Sequence, residues 1–151
     1  MDAALPRSRV YWNSFTQKLF YYPEGDKMQL ISSGGGSSVV VPYDLAACHT
    51  GKLANSSVIC RYVSARVYRL PAGLIGSVAV CATAGAGQVV MLLKKNGVQF
   101  GTVTYAAGSK TGVYAAASET VFNIGDVLSI EGPPSADSTF ADSSYTLRAT
   151  I

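Results

Sequence analysis

Along most of this chain apolar and polar positions alternate with a period of two, the spacing of a β-strand rather than of a helix. The stretches "RVYWN" (9–13), "KLFYY" (18–22) and "KMQLIS" (27–32) read as three short strands. The last is reached through "PEGD", where Pro23 and Gly25 supply the backbone angles of a reversal. A three-stranded meander with one apolar face is marginal alone, so residues 1–32 are expected to lean on a partner. "SSGGGSS" (Ser32 to Ser38) reads as a flexible linker, because glycine and serine neither fix the backbone nor give it anything to pack.

Beyond the linker, "YDLAACHTGKL" predicts one short helix, capped by Asp44 and ended at Gly51. Residues 33–57 are therefore taken as linker and connecting segment, and 58–151 as the main domain. From Val58 onward the pattern is β almost without interruption. "VICRYVSARVYRL" is ended by "PAG", and "IGSVAVCAT" by "AGAG". "QVVMLLKKNGVQFGTVTY" is two strand patterns joined across Asn96-Gly97, a pair suited to the positive φ angles of a type I′ hairpin turn. "ETVFNIGDVLSIEG" gives two more strands broken at Gly125-Asp126, and "SYTLRATI" places Tyr145, Leu147 and Ala149 on one face. Strands at this spacing, with turn signals between them, predict an all-β sandwich.

Composition adds a surface argument. Hydrophobic residues make up 48% of the 151 and charged ones only 14%, against about 25% charged in an average soluble domain. So little charge implies surface buried against something, such as further copies of the chain. A net charge of +3 without a clustered basic face does not predict nucleic-acid binding. The charge is segregated: Lys52, Arg61, Arg66, Arg69, Lys94, Lys95 and Lys110 fall in a stretch without acids, and Glu119, Asp126, Glu131, Asp137 and Asp142 follow without a base. These segments either pair within one subunit or meet head to tail between subunits.

The candidate chemistry is thin. Cys48, Cys60 and Cys81 are odd in number and lack a C-x-x-C spacing, which argues against a disulfide framework. His49 is the sole histidine, and "ACHTG" is no nucleophile elbow, so neither it nor Cys48 predicts an enzyme. Asp137 and Asp142 in "PPSADSTFADSS" invite a calcium reading, but calcium wants six to eight oxygens, and two carboxylates without an EF-hand spacing fall short. "AGAGQ" lacks the lysine and helix of a phosphate loop and reads as a turn between strands. No catalytic, cofactor or metal site is expected. The start "MDAALPRSRVYW" shows no secretory signal pattern, and no apolar run approaches the length of a membrane helix, so no membrane partner is expected.

Two stretches carry a resemblance. "RVYWNSFTQKLFYYPEGDKMQLIS" is similar to the aromatic meander near the N-termini of bacteriophage tail-fibre and other virion surface proteins, with Met28 where a tryptophan is often found. "KKNGVQFGTVTYAAG", together with "ETVFNIGDVLSIEGPPSADSTFADSSYTLRATI", resembles the C-terminal jelly-roll domain of phage tail-fibre and decoration proteins, with its "kNG" hairpin and its later "GD" step. The resemblance implies a non-enzymatic virion component assembled in the host cytoplasm. It also implies a homotrimer with an eight-stranded jelly roll behind the meander. The chain shows neither heptads nor internal repeats for a shaft, which favours a capsid decoration or cement protein over a short tail-fibre or baseplate adhesin for host saccharides. The aromatic residues Tyr11, Trp12, Phe15, Phe20, Tyr21 and Tyr22 are then the expected contacts with the major capsid protein, or another virion protein, or a sister subunit.

Overall fold

A computed structural model describes the backbone of residues 9–13, 18–22 and 29–30 and, with side chains, residues 41–151. The chain divides into two compact units, Met1–Val39 and Val40–Ile151. In the first, β1 (Arg9–Asn13), β2 (Lys18–Tyr22) and β3 (Gln29–Leu30) form an antiparallel sheet in the order β1-β2-β3. The three-strand prediction for 9–32 therefore holds in order and direction. The glycine-serine run lies outside the described residues.

The second unit is built from ten strands. They are β4 (Pro42–Lys52), β5 (Val58–Val63), β6 (Tyr68–Leu70), β7 (Val78–Thr83), β8 (Val89–Lys95), β9 (Val98–Tyr105), β10 (Thr111–Ala116), β11 (Thr120–Phe122), β12 (Val127–Glu131) and β13 (Ala141–Thr150). Every pairing is antiparallel, and the described residues contain no α-helix, only a 3-10 turn at Ala72–Leu74. Two four-strand runs stand out, β4-β13-β7-β10 and β5-β12-β8-β9, joined where β9 pairs with β10. Short β11 pairs with β6, which meets β13 at Arg69 opposite Thr150.

Two expectations are corrected here. Residues 44–51 are not a helix: Pro42–Lys52 is an eleven-residue strand paired along β13, and it belongs to the second unit instead of to a connecting segment. Alternation explains why, since Tyr43, Leu45, Ala47 and His49 are half-buried while Pro42, Asp44, Ala46, Cys48 and Thr50 are exposed. A helix would have scattered those residues around its axis; a strand puts the apolar set on one face. The stretch 58–70 is also two strands, because the chain leaves the ladder between Val63 and Tyr68, where Ser64 exchanges backbone bonds with Asp126 and Gly125 at 2.8 Å each.

Inward positions of both runs meet in one core. Tyr145, Leu147 and Ala149 from β13 are fully buried, as the alternation predicts, beside Met91 and Leu93 of β8, Val103 and Tyr105 of β9, and Leu128 and Ile130 of β12. Tyr105 is flanked by Phe140 and Tyr145 in edge contacts, and Tyr68 stacks on Phe122 at 4.8 Å. β10 carries Gly112 where the space is smallest: a Cβ there would lie 2.7 Å from Val103 Cγ1 and 2.9 Å from the Tyr105 ring. Glycine lets the backbone of β10 close down on the aromatic core.

Candidate interaction surface

The six aromatic positions fall on the first unit. Tyr11 and Trp12 lie on β1, and Phe20, Tyr21 and Tyr22 on β2; Phe15 lies outside the described residues. The register sets Tyr11 opposite Phe20, Val10 opposite Tyr21 and Arg9 opposite Tyr22.

In the second unit the residues behind the jelly-roll resemblance come together. Asn96 has φ 50° and Gly97 φ 83°, the pair of positive angles that the hairpin turn requires. The Asn96 side chain then reaches the Gly125-Asp126 step: Nδ2 donates to Asp126 Oδ1 at 2.7 Å, and Oδ1 accepts from the Val127 N–H at 2.8 Å. Asp126 also accepts from the Asn123 N–H at 2.8 Å and pairs with Lys95 Nζ at 2.9 Å. The Asn96 side chain, the Asn123 N–H and Lys95 together hold its carboxyl down at about 2. The "kNG" and "GD" stretches, 30 residues apart, are thus two halves of one hydrogen-bonded junction.

The segregated charges pair inside the subunit. Arg69 meets Glu119 at 2.8 Å, Lys95 meets Asp126, and Lys94 meets Glu131, which also accepts from Ser129 Oγ at 3.0 Å. These three pairs lie within one subunit. Asp137 is likewise committed. It accepts from the Gly87 N–H at 2.7 Å and from both the N–H and the hydroxyl of Thr139, whose oxygen accepts from Ala86 N–H. Those donors hold its carboxyl well below the usual range, and they tie the "AGAG" loop to the 133–140 loop. Asp142, at φ 55°, accepts from the Gly51 N–H at 2.7 Å and stabilises the bulge between Ala141 and Ser143. The two carboxylates suspected of holding calcium are therefore backbone clamps in separate places, and no cluster of three or more His, Cys, Asp or Glu residues forms among the described residues.

Cys48 and His49 alternate to opposite faces of β4; Cys48 is exposed, while His49 Nε2 lies 3.3 Å from the Lys52 carbonyl. Burial pushes the Cys60 and Cys81 thiols upward, which keeps them protonated and unreactive at neutral pH.

Three surfaces remain. Between β4 and β5 a cavity of about 200 Å³ is lined by Leu45, Ala47, Cys60, Leu128, Ile130 and Leu147. Its mouth is crossed by a 2.6 Å hydrogen bond between the Tyr43 and Tyr62 hydroxyls, with the Arg66 guanidinium 5.4 Å from the Tyr43 ring centre. A wider recess of about 800 Å³ lies beside β9 and β10 against Gln99, Phe100, Thr102 and Tyr114, and no carboxylate lines it. The third surface is the outward face of β4-β13-β7-β10. Its middle rows, Ala46-Thr146-Val78 and Cys48-Ser144-Val80-Thr111, contain no charge, and Val78, Val80 and Val113 are exposed there. The sequence did not single out the cavity or this face, because each is assembled from strands far apart in the chain. No protein-family model and no curated protein matches the sequence.

Proposed function

We propose that this chain is a non-enzymatic structural protein of a tailed-phage virion, a homotrimeric capsid decoration or cement protein. Its second unit is read as an eight-stranded jelly roll, and its meander as the anchor that meets the capsid. The observation that carries the proposal is the pairing order. Numbering the eight longer strands in sequence from β4, with the three-residue β6 and β11 left aside, places 1-8-3-6 in one run and 2-7-4-5 in the other, the order produced by folding a long double hairpin over itself. The junction of Asn96 with Asp126 supports the same reading, since it unites the two sequence stretches that resemble phage jelly rolls. The uncharged middle rows of the outward face of β4-β13-β7-β10 suit contact with sister subunits, as interface centres are depleted in charge.

The test is a deletion of residues 1–32 in the native virion background. The truncated chain is expected to fold and self-associate but no longer bind particles. Normal decoration by the truncated chain overturns the anchor assignment, and a copy number of tens or fewer per virion, by quantitative mass spectrometry, overturns the capsid placement. A second reading, a short tail-fibre or baseplate adhesin for host saccharides, draws on the recess beside Phe100 and Tyr114. Against it, the Tyr114 hydroxyl is already donated to the Val78 carbonyl at 3.2 Å. Glycan-array binding lost on Phe100→Ala would favour the adhesin.

A further inference from the structure

Strand β4 ends one four-strand run, and among the described residues it pairs only with β13. Val41 and Ile151 exchange both backbone hydrogen bonds, at 3.3 and 3.1 Å. From that anchor the antiparallel ladder alternates, so the odd positions Tyr43, Leu45, Ala47 and His49 direct their N–H and C=O groups to β13. The even positions Asp44, Ala46, Cys48 and Thr50 direct theirs to the open edge. Pro42, which has no N–H, falls at one of these even positions, where the ladder does not miss it.

Edges of this kind are usually guarded by inward charges, bulges or shortness. Strand β4 has eleven residues, its bulge is confined to its C-terminal end between His49 and Lys52, where Gly51 has φ 87°, and its charges stand only at Asp44 and Lys52. These two are equidistant from Cys48 and opposite in sign. We propose that β4 is a two-fold contact between copies of this chain, in which Asp44–Lys52 of one copy pairs antiparallel with the same strand of another, centred on Cys48. In that register Asp44 faces Lys52 of the second copy twice over, Ala46 faces Thr50, and Cys48 faces itself. About six backbone hydrogen bonds, between the Ala46–Thr50 stretches, join the copies, and two β4-β13-β7-β10 runs become one continuous sheet. The contact is isologous and closes at two copies. It is thus separate from a three-fold contact, and it does not depend on the virion reading.

Hydrogen exchange on the full-length native protein across a concentration series tests this without any substitution. The amides of Ala46, Cys48 and Thr50 are expected to gain at least tenfold protection as copies associate, while those of Leu45, Ala47 and His49 stay protected throughout. Free exchange of the even amides at concentrations where the protein is associated overturns the proposal. So does protection that is already complete in the monomer, which would mean that the chain's own residues cover the edge. Mild oxidation gives a second readout, because facing residues of a hydrogen-bonded pair lie about 5.5 Å apart at Cα, within disulfide range. A covalent dimer that forms in the native chain and is lost in Cys48→Ser supports the register, whereas a dimer that survives in Cys48→Ser refutes it. Lys52→Glu, which sets like charges against Asp44 of the second copy, is expected to weaken association roughly tenfold; unchanged association overturns the charge pairing.

Discussion

At the β9/β10 side, backbone hydrogen bonds carry the ladder from one four-strand run into the other, whereas at the β4/β5 side the runs come together through side chains alone. The first side is closed and dense. Gly112 has no room for a methyl group, and Gly101 would set a Cβ 2.7 Å from the Ala115 carbonyl oxygen. The second side is loose: it holds a cavity of about 200 Å³ under a single tyrosine-tyrosine bond, and both of its strands end their runs. Placing the rigid seam on one side leaves the other free to present backbone edges, so in this molecule the material for stability and the material for association are spatially separated.

The largest effect should come from attacking the closed side. Gly112→Val drives two methyl groups into Val103 and Tyr105 and is expected to cost about 3 kcal/mol, read as a lower midpoint in urea unfolding. Asn96→Ala should follow at about 2 kcal/mol, since it puts a poor residue at φ 50° and removes the bonds to Asp126 and Val127. On the open side Tyr62→Phe removes one half-exposed hydrogen bond and should cost about 1 kcal/mol or less. Ala47→Leu fills part of the cavity and should leave stability within about 0.5 kcal/mol of the native value. A cost from Ala47→Leu equal to that from Gly112→Val would erase the contrast between the two sides.

Acid should produce the mildest change, because Asp126 and Asp137 are half-buried surface clamps that solvent still partly screens. Both carboxyls are lowered on folding from an ordinary value of 3.8. Their contribution is therefore complete above about pH 4 and declines as pH falls toward 2, the sign expected when the unfolded chain binds more protons. Thermal melts between pH 5 and pH 2 should show the decline, and Asp137→Asn should make it shallower.

What could be read in the sequence was mostly what is decided locally. The Asn96-Gly97 hairpin depends on two adjacent residues and two φ angles. The buried row Tyr145, Leu147 and Ala149 depends on simple alternation. By contrast, the residues of β4 have the composition of a helix, and they become a strand because β13, about 100 residues later, supplies the hydrogen bonds. Strand β10 ("TGVYAA") gave no readable signal, because its glycine fits under Tyr105 beside Ala79 and its alanines fit against Gly101, and none is chosen for strand propensity. The aromatic segment could be assigned its strands from the pattern, while the cavity and the open edge needed the long-range pairing to exist.

Strand β13 lies between β4 on one side and β7 on the other, and it is the last of the strands to leave the ribosome. Until it arrives, β4 has no partner and β7 lacks one of its two neighbours, so the nascent chain carries two half-built edges through most of its synthesis. Its closure is then a single late event joining distant parts of the chain, which favours slow folding. It also makes resistance to proteases appear abruptly once β13 is in place. Chains stalled short of Ala141 should be degraded or captured by other nascent chains, so translation pace through the codons of β13 becomes a determinant of yield.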